Sequence, residues 1–119
     1  MLNELDLFIL ENIIKSSINK KSIKLWELTK NYDWKDKKIT FGINSLDNRF
    51  LNKKYMFVTK RLKIMSNYGI IRIIKGKDNK NIYEVVSKNV RYKKFMFPKN
   101  ESLGIAIKFK NKWIIYQLN

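Results

Sequence analysis

The sequence predicts an α+β fold: three helices, a β-hairpin after the third helix, and a C-terminal β extension. Three observations lead there. Apolar residues recur with helical period over residues 3–18 and again at Val58, Leu62 and Met65. Two β-rich runs, IIRIIK and IYEVV, flank the turn-forming cluster GKDNKN. Beyond Pro98, the only proline, the tail reads LGIAIKFKNKWIIYQL, a further pair of alternating apolar runs.

The first helix is predicted over 3–18. Leu5, Phe8, Ile9 and Ile13, with Leu7, Leu10 and Ile14, form a wide apolar stripe, broad enough for a central core helix or for a second subunit. Asn3 is placed to cap the helix, and Glu4 and Asp6 lie in the first turn, where the helix dipole favours negative charge. A second helix is expected to begin at Ser22 or just after, with Leu25, Leu28 and Tyr32 on one face and a very short strand around Ile23 before it. Residues 33–54 are open to three readings: a charged loop, a short extended run KITF, and a helical turn at SLDNRFLN.

The third helix is expected over about 55–68, starting at Tyr55 or Met56 and ending on Gly69, which takes the left-handed conformation that closes many helices. Residues 70–86 follow as a hairpin. In the tail, a turn at Lys110–Asn111 would set Ile107 opposite Ile114 and Ile105 opposite Tyr116, giving one apolar face. Lys-Asn is a weaker turn signal than Asn-Gly, so a three-residue loop is the alternative. The implied organisation is one folded unit over 1–87, with an insert at about 33–54, and an extension over 88–119 packed on that unit or at a dimer interface.

Composition narrows the function. At 119 residues with 45% hydrophobic content, the chain suffices for one packed core. Cysteine and histidine are absent, which excludes disulfides, zinc fingers, Cys or Ser–His nucleophilic sites and histidine acid–base chemistry. Ten scattered carboxylates form no metal-binding or catalytic pattern, so neither an enzyme nor a cofactor is expected, and no small-molecule ligand is evident. No export signal and no membrane-spanning run is legible, so the expected location is the cytoplasm, on the nucleoid, with the gene carried by a cell, virus or plasmid.

The net charge is +16, from 26 basic and 10 acidic residues. An AT-rich coding sequence explains lysine over arginine, but it would favour glutamate equally and so does not explain the sign. Such a charge opposes compaction unless an anionic partner offsets it, and nucleic acid is the commonest such partner. The charge is also unevenly placed: residues 52–80 hold nine basic residues against Asp78, and residues 88–119 hold eight against Glu101. Residues 1–20 are slightly acidic, which suggests one face turned towards a polyanion and another turned away.

The order helix, helix, cationic helix, hairpin resembles a winged helix-turn-helix. LWELTKNY (25–32) is similar to that family's second helix, and VTKRLKIMSNYGIIRII (58–74) to its recognition helix and first wing strand. Val58, Leu62, Met65, Gly69 and Ile70–Ile71 match the family's apolar and glycine positions, and Gly76–Asn81 would be the wing tip. Two departures stand out: the second and third helices are unusually far apart in sequence, and bulky Met56 and Phe57 stand where small polar residues often open the recognition helix.

The resemblance implies a small transcriptional regulator of archaeal, viral or plasmid type that binds double-stranded DNA. A homodimer is expected, joined through the first helix or the tail hairpin. The third helix would lie in the major groove, with Lys60 and Arg61 bonding guanine, Thr59 touching a thymine methyl, and Asn67 reaching adenine or a phosphate. Lys53 and Lys54 would neutralise phosphates, Lys63 is a further DNA-binding candidate, and Lys75, Lys77 and Lys80 on the wing would reach the backbone or minor groove.

Plainer explanations exist for each. Lys60 and Lys63 would merely solvate a helix, Arg61 would form a surface ion pair, and the wing lysines would serve turn chemistry. Trp26, Trp34 and Trp113 are expected in the core or an interface. Tyr92, Phe95 and Phe97, interleaved with Arg91, Lys93 and Lys94, resemble a single-strand-binding surface, but a half-buried edge strand with solvated lysines is favoured. The alternative functions are a non-specific architectural DNA- or RNA-binding protein, and a DNA-recognition or protein-interaction module of a replication complex.

Overall fold

Asn3 initiates the first helix, α1 (Glu4–Ile18), as its sequence position suggested. The Asp6 amide donates to Asn3 Oδ1 at 2.8 Å, and the Asn3 amide donates back to Asp6 Oδ2 at 3.0 Å, so two amides that the helix leaves unpaired are satisfied reciprocally. The structure is a computed structural model that describes residues 2–34 and 48–118. Leu5, Ile9, Leu10, Ile13 and Ile14 are all buried, so the broad stripe of α1 is used by the chain's own core.

The second helix, α2 (Leu25–Asn31), starts where Glu27 Oε1 accepts from the Lys24 amide at 3.2 Å. Ile23 is buried just before it, but no strand forms there. Tyr32 at the end of α2 is clamped between Phe8 and Trp34, with ring centroids 5.0 Å away on each side. Trp34 is held by its indole N–H, which donates to the Thr29 carbonyl at 2.8 Å.

The third helix, α3 (Asn48–Asn67), begins seven residues before the expected start at Tyr55. Residues 48–54, counted with the expected insert, are therefore helical, and Met56 and Phe57 lie within the helix, not at its opening. The other readings for 35–47, including the extended run KITF, lie outside the described residues. Val58, Leu62 and Met65 are buried as their spacing required. Gly69 ends the helix at φ +75°, with the Ile70 amide donating to the Met65 carbonyl at 2.9 Å. A Cβ at Gly69 would come no nearer than 3.6 Å to its closest neighbour, so backbone conformation, not space, calls for glycine here.

That turn leads into an antiparallel hairpin, β1 (Ile71–Lys75) and β2 (Asn81–Val85), in register from Ile71 opposite Val85 to Lys75 opposite Asn81. Its tip is closed by the Gly76 amide donating to the Lys80 carbonyl at 2.7 Å, with Asn79 left-handed at φ +62°. Ile71 and Tyr83 anchor the hairpin in the core, while the rest of β1 is exposed.

A short 3-10 turn (Ser87–Asn89) precedes a three-stranded antiparallel sheet, β3 (Val90–Phe97), β4 (Asn100–Phe109) and β5 (Lys112–Gln117), with β4 in the middle. The expected pairs Ile107–Ile114 and Ile105–Tyr116 are present. Lys110 and Asn111 both take positive φ, 51° and 64°, as a two-residue hairpin turn whose twist matches the strands requires. The three-residue alternative is not used. Pro98 falls in the β3–β4 turn, and β3 is an edge strand, as favoured.

Val90, Ile105 and Ile107 from this sheet join Ile9, Leu28, Leu62 and Ile71 in one buried cluster. Tyr92 adds a hydrogen bond to Glu11 at 3.2 Å, and Tyr68 packs edge-on against Phe109 at 4.9 Å. The extension thus packs on the same core as the helices. The fold is α+β, and the described residues form three helices and two antiparallel sheets. Among the described residues, no helix is long and apolar enough to cross a membrane.

Candidate nucleic-acid interface

Burial of Val58, Leu62 and Met65 decides which side of α3 faces outward. Residues 53, 56, 57, 60, 63 and 67 share the opposite side by helical spacing, and Lys53, Met56, Phe57, Lys60, Lys63 and Asn67 are all exposed. This outer stripe carries Lys53, Lys60 and Lys63, with an apolar step between the first two: Met56 is 69% and Phe57 39% exposed. Lys53, Met56, Phe57 and Lys60 together line one shallow surface groove. Thr59 sits half-buried on the flank of the stripe.

Arg61 is elsewhere. Its Nε donates to Asp6 Oδ1 at 2.7 Å and a terminal guanidinium nitrogen to Oδ2 at 2.6 Å, a two-pronged pair that ties α3 to α1. Asp6 has no exposed surface, and the Arg61 side chain is only 20% exposed. The hydrogen bond to Asp6 pushes the guanidinium pKa further up, against the opposing effect of burial. Two of the guanidinium donors expected to meet guanine are thus engaged by a buried carboxylate. The ion pair considered as the plainer explanation is present, and it joins a partly buried guanidinium to a buried carboxylate.

Lys54 is placed differently from Lys53. It is half-buried, with its ammonium 5.8 Å from the Trp34 ring, and burial lowers its pKa. It therefore lies towards the α2 side of α3, off the exposed stripe that Lys53 occupies. Trp34 packs as expected, whereas Trp26 and Trp113 are surface residues, 51% and 38% exposed.

The hairpin tip forms the second cationic element. Lys75, Lys77 and Lys80 are exposed, and the acidic Asp78 between them accepts the Lys80 amide at 3.2 Å. The tip reaches the start of α2. A groove there is lined by Lys24, Trp26, Tyr55, Lys75, Lys80 and Tyr83, and a neighbouring one by Ser22, Lys24, Lys77 and Lys80. Tyr55 belongs to α3, so one groove touches all three of α2, α3 and the hairpin.

The structure thus assembles Lys53, Lys60, Lys63 and Asn67 on one helix face, and Lys75, Lys77 and Lys80 around a groove that α3 also borders. It adds Lys24, Trp26 and Tyr55, which sequence reasoning missed. Lys24 had one signal: it directly precedes the helical run LWEL. Nothing local could have placed it against a hairpin tip more than fifty residues later. No family model, no curated protein and no solved structure matches this chain.

Proposed function

We propose that this chain is a winged helix-turn-helix protein that binds duplex DNA, with α3 as the groove-facing helix and β1–β2 as the wing. The observation that carries this reading is the cationic outer face of α3 followed directly by a lysine-tipped hairpin. The B-DNA major groove admits a helix, and lysines on such a face meet phosphates on either wall. The basic tip then reaches the flanking backbone or the minor groove. In this reading the protein regulates transcription and has no catalytic role. A dimer would read two half-sites about one turn apart.

A second reading is favoured by the pairing of Arg61. With that guanidinium engaged, the cations left on the stripe are lysines, which act as point charges, whereas arginine has the planar fork suited to guanine. Met56 and Phe57 occupy the same stripe. Both features favour contact with phosphate and sugar over base readout, as in an architectural protein. Selection of bound duplexes from a random pool decides between the two. An enriched palindrome supports the regulator, enrichment without sequence preference supports the architectural role, and failure to retain any duplex contradicts both.

A further inference from the structure

The outer face of the C-terminal sheet carries a second cationic and aromatic surface that the duplex reading does not use. Strand alternation separates its two faces. Val90, Tyr92, Ile105, Ile107, Ile114 and Tyr116 turn towards the core, so Arg91, Lys93, Phe95 and Phe97 on β3 turn outward. They are joined by Lys108 on β4 and by Trp113 and Ile115 on β5, through the pairs Lys108–Trp113 and Ala106–Ile115. The mixed run in β3 is thereby sorted: Tyr92 and Lys94 fall on the core side, and the remaining aromatics and cations on the other.

These side chains are arranged as a platform. The Arg91 guanidinium carbon lies 4.5 Å from the centre of the Trp113 ring, and the Lys93 ammonium 5.2 Å from that of Phe95. Phe95 and Phe97, with centroids 6.1 Å apart, lie over Gly104, where an added Cβ would come within 2.9 Å of each ring. Glycine at that point lets both rings lie close against the sheet. Glu101, the lone carboxylate in the three strands, belongs by alternation to the opposite face, as its pairing with Met96 shows.

We propose that this face binds single-stranded nucleic acid, with bases stacking on the Trp113–Arg91 and Phe95–Phe97 surfaces and Lys93 and Lys108 meeting phosphates. Base stacking on aromatic side chains and on guanidinium planes, beside cations that follow the backbone, is the chemistry of sequence-tolerant strand binding. Charge argues against a second copy as the occupant. Three cations without a carboxylate would face like charges in a chain already at +16. A protein built this way would hold a duplex on one surface and an unpaired strand on another.

The test is fluorescence anisotropy of a labelled fifteen-residue oligo(dT), without duplex, on the full chain and on the variants Arg91→Ala, Lys93→Ala and Trp113→Ala. Circular dichroism and melting temperature check each fold, and exposed Lys93 keeps the test valid if Trp113→Ala is destabilised. The proposal expects binding that weakens about tenfold in Trp113→Ala and severalfold in the other two. Duplex affinity should stay within about twofold throughout. Ultraviolet crosslinks to the oligonucleotide should map to β3 and β5. Absence of oligo(dT) binding overturns the proposal, as does binding that the three variants leave intact. So does a wild-type self-association that Trp113→Ala abolishes without loss of strand binding, which would make a second copy the occupant.

Discussion

The Asp6 carboxylate accepts from the Asn3 amide and twice from Arg61, with no surface of its own in contact with solvent. Removing Arg61 leaves that charge buried with one partner, and breaking a buried pair in this way costs about 3–5 kcal/mol. Urea unfolding of Arg61→Ala should show that loss, and duplex affinity measured on the folded fraction should fall little, the reverse of what a base-reading arginine would give. Part of this pair was legible. Asp6 lies three, four and seven residues before Ile9, Leu10 and Ile13, on the face that must be buried, and a buried carboxylate needs a cation. Which cation it finds depends on how α1 packs on α3, which no local pattern encodes.

Tyrosines give the pH dependence at this scale. Burial raises the phenol pKa of Tyr83, and burial followed by the neighbouring Glu11 charge raises that of Tyr92. A group whose pKa is raised by folding stabilises the folded state below its unfolded value, near 10 for a phenol, and that contribution is lost as pH climbs through the folded value. Lysines lose their charge over the same range and relieve self-repulsion, so wild-type melting alone is ambiguous. The difference between wild type and Tyr83→Phe separates the two effects. Melting temperature should fall more steeply above pH about 10 in wild type than in the variant.

At the scale of elements, the turn from α3 into β1 depends on Gly69. Alanine there meets no steric obstacle but must adopt φ +75°, at a cost of about 1 kcal/mol, which chemical denaturation can resolve. The hairpin tip makes a different prediction. Lys77→Ala should weaken binding to all duplexes alike and reduce the salt slope by about one unit. The end of α3 and the whole hairpin were legible because glycine, β-branched runs and turn residues act locally. The start of α3 was not. NRFLNKK follows Asp47, a capping residue type, but it carries little apolar periodicity, so the helical reading there stood level with a loop.

The whole molecule is one core with several charged surfaces. Val90, Ile105 and Ile107 fill space beside α1 and α3, so cutting the chain after Ser87 exposes apolar surface on both pieces. Residues 1–87 alone should lose cooperative thermal unfolding, as followed by circular dichroism. The tail's register was legible from its alternation. That its outer face gathers cations and aromatics was only half legible, because Trp113 meets Arg91 through the sheet and not through the sequence.

The central claim is that duplex DNA meets the outer face of α3 and the hairpin tip. Duplex affinity as a function of salt, for wild type and the double variant Lys60→Ala/Lys63→Ala, tests it most directly. Contact with about six to ten phosphates predicts a log–log slope of roughly −5 to −9, and the double variant should be shallower by about two. A shallow wild-type slope, or a double variant with unchanged slope and affinity, would contradict it.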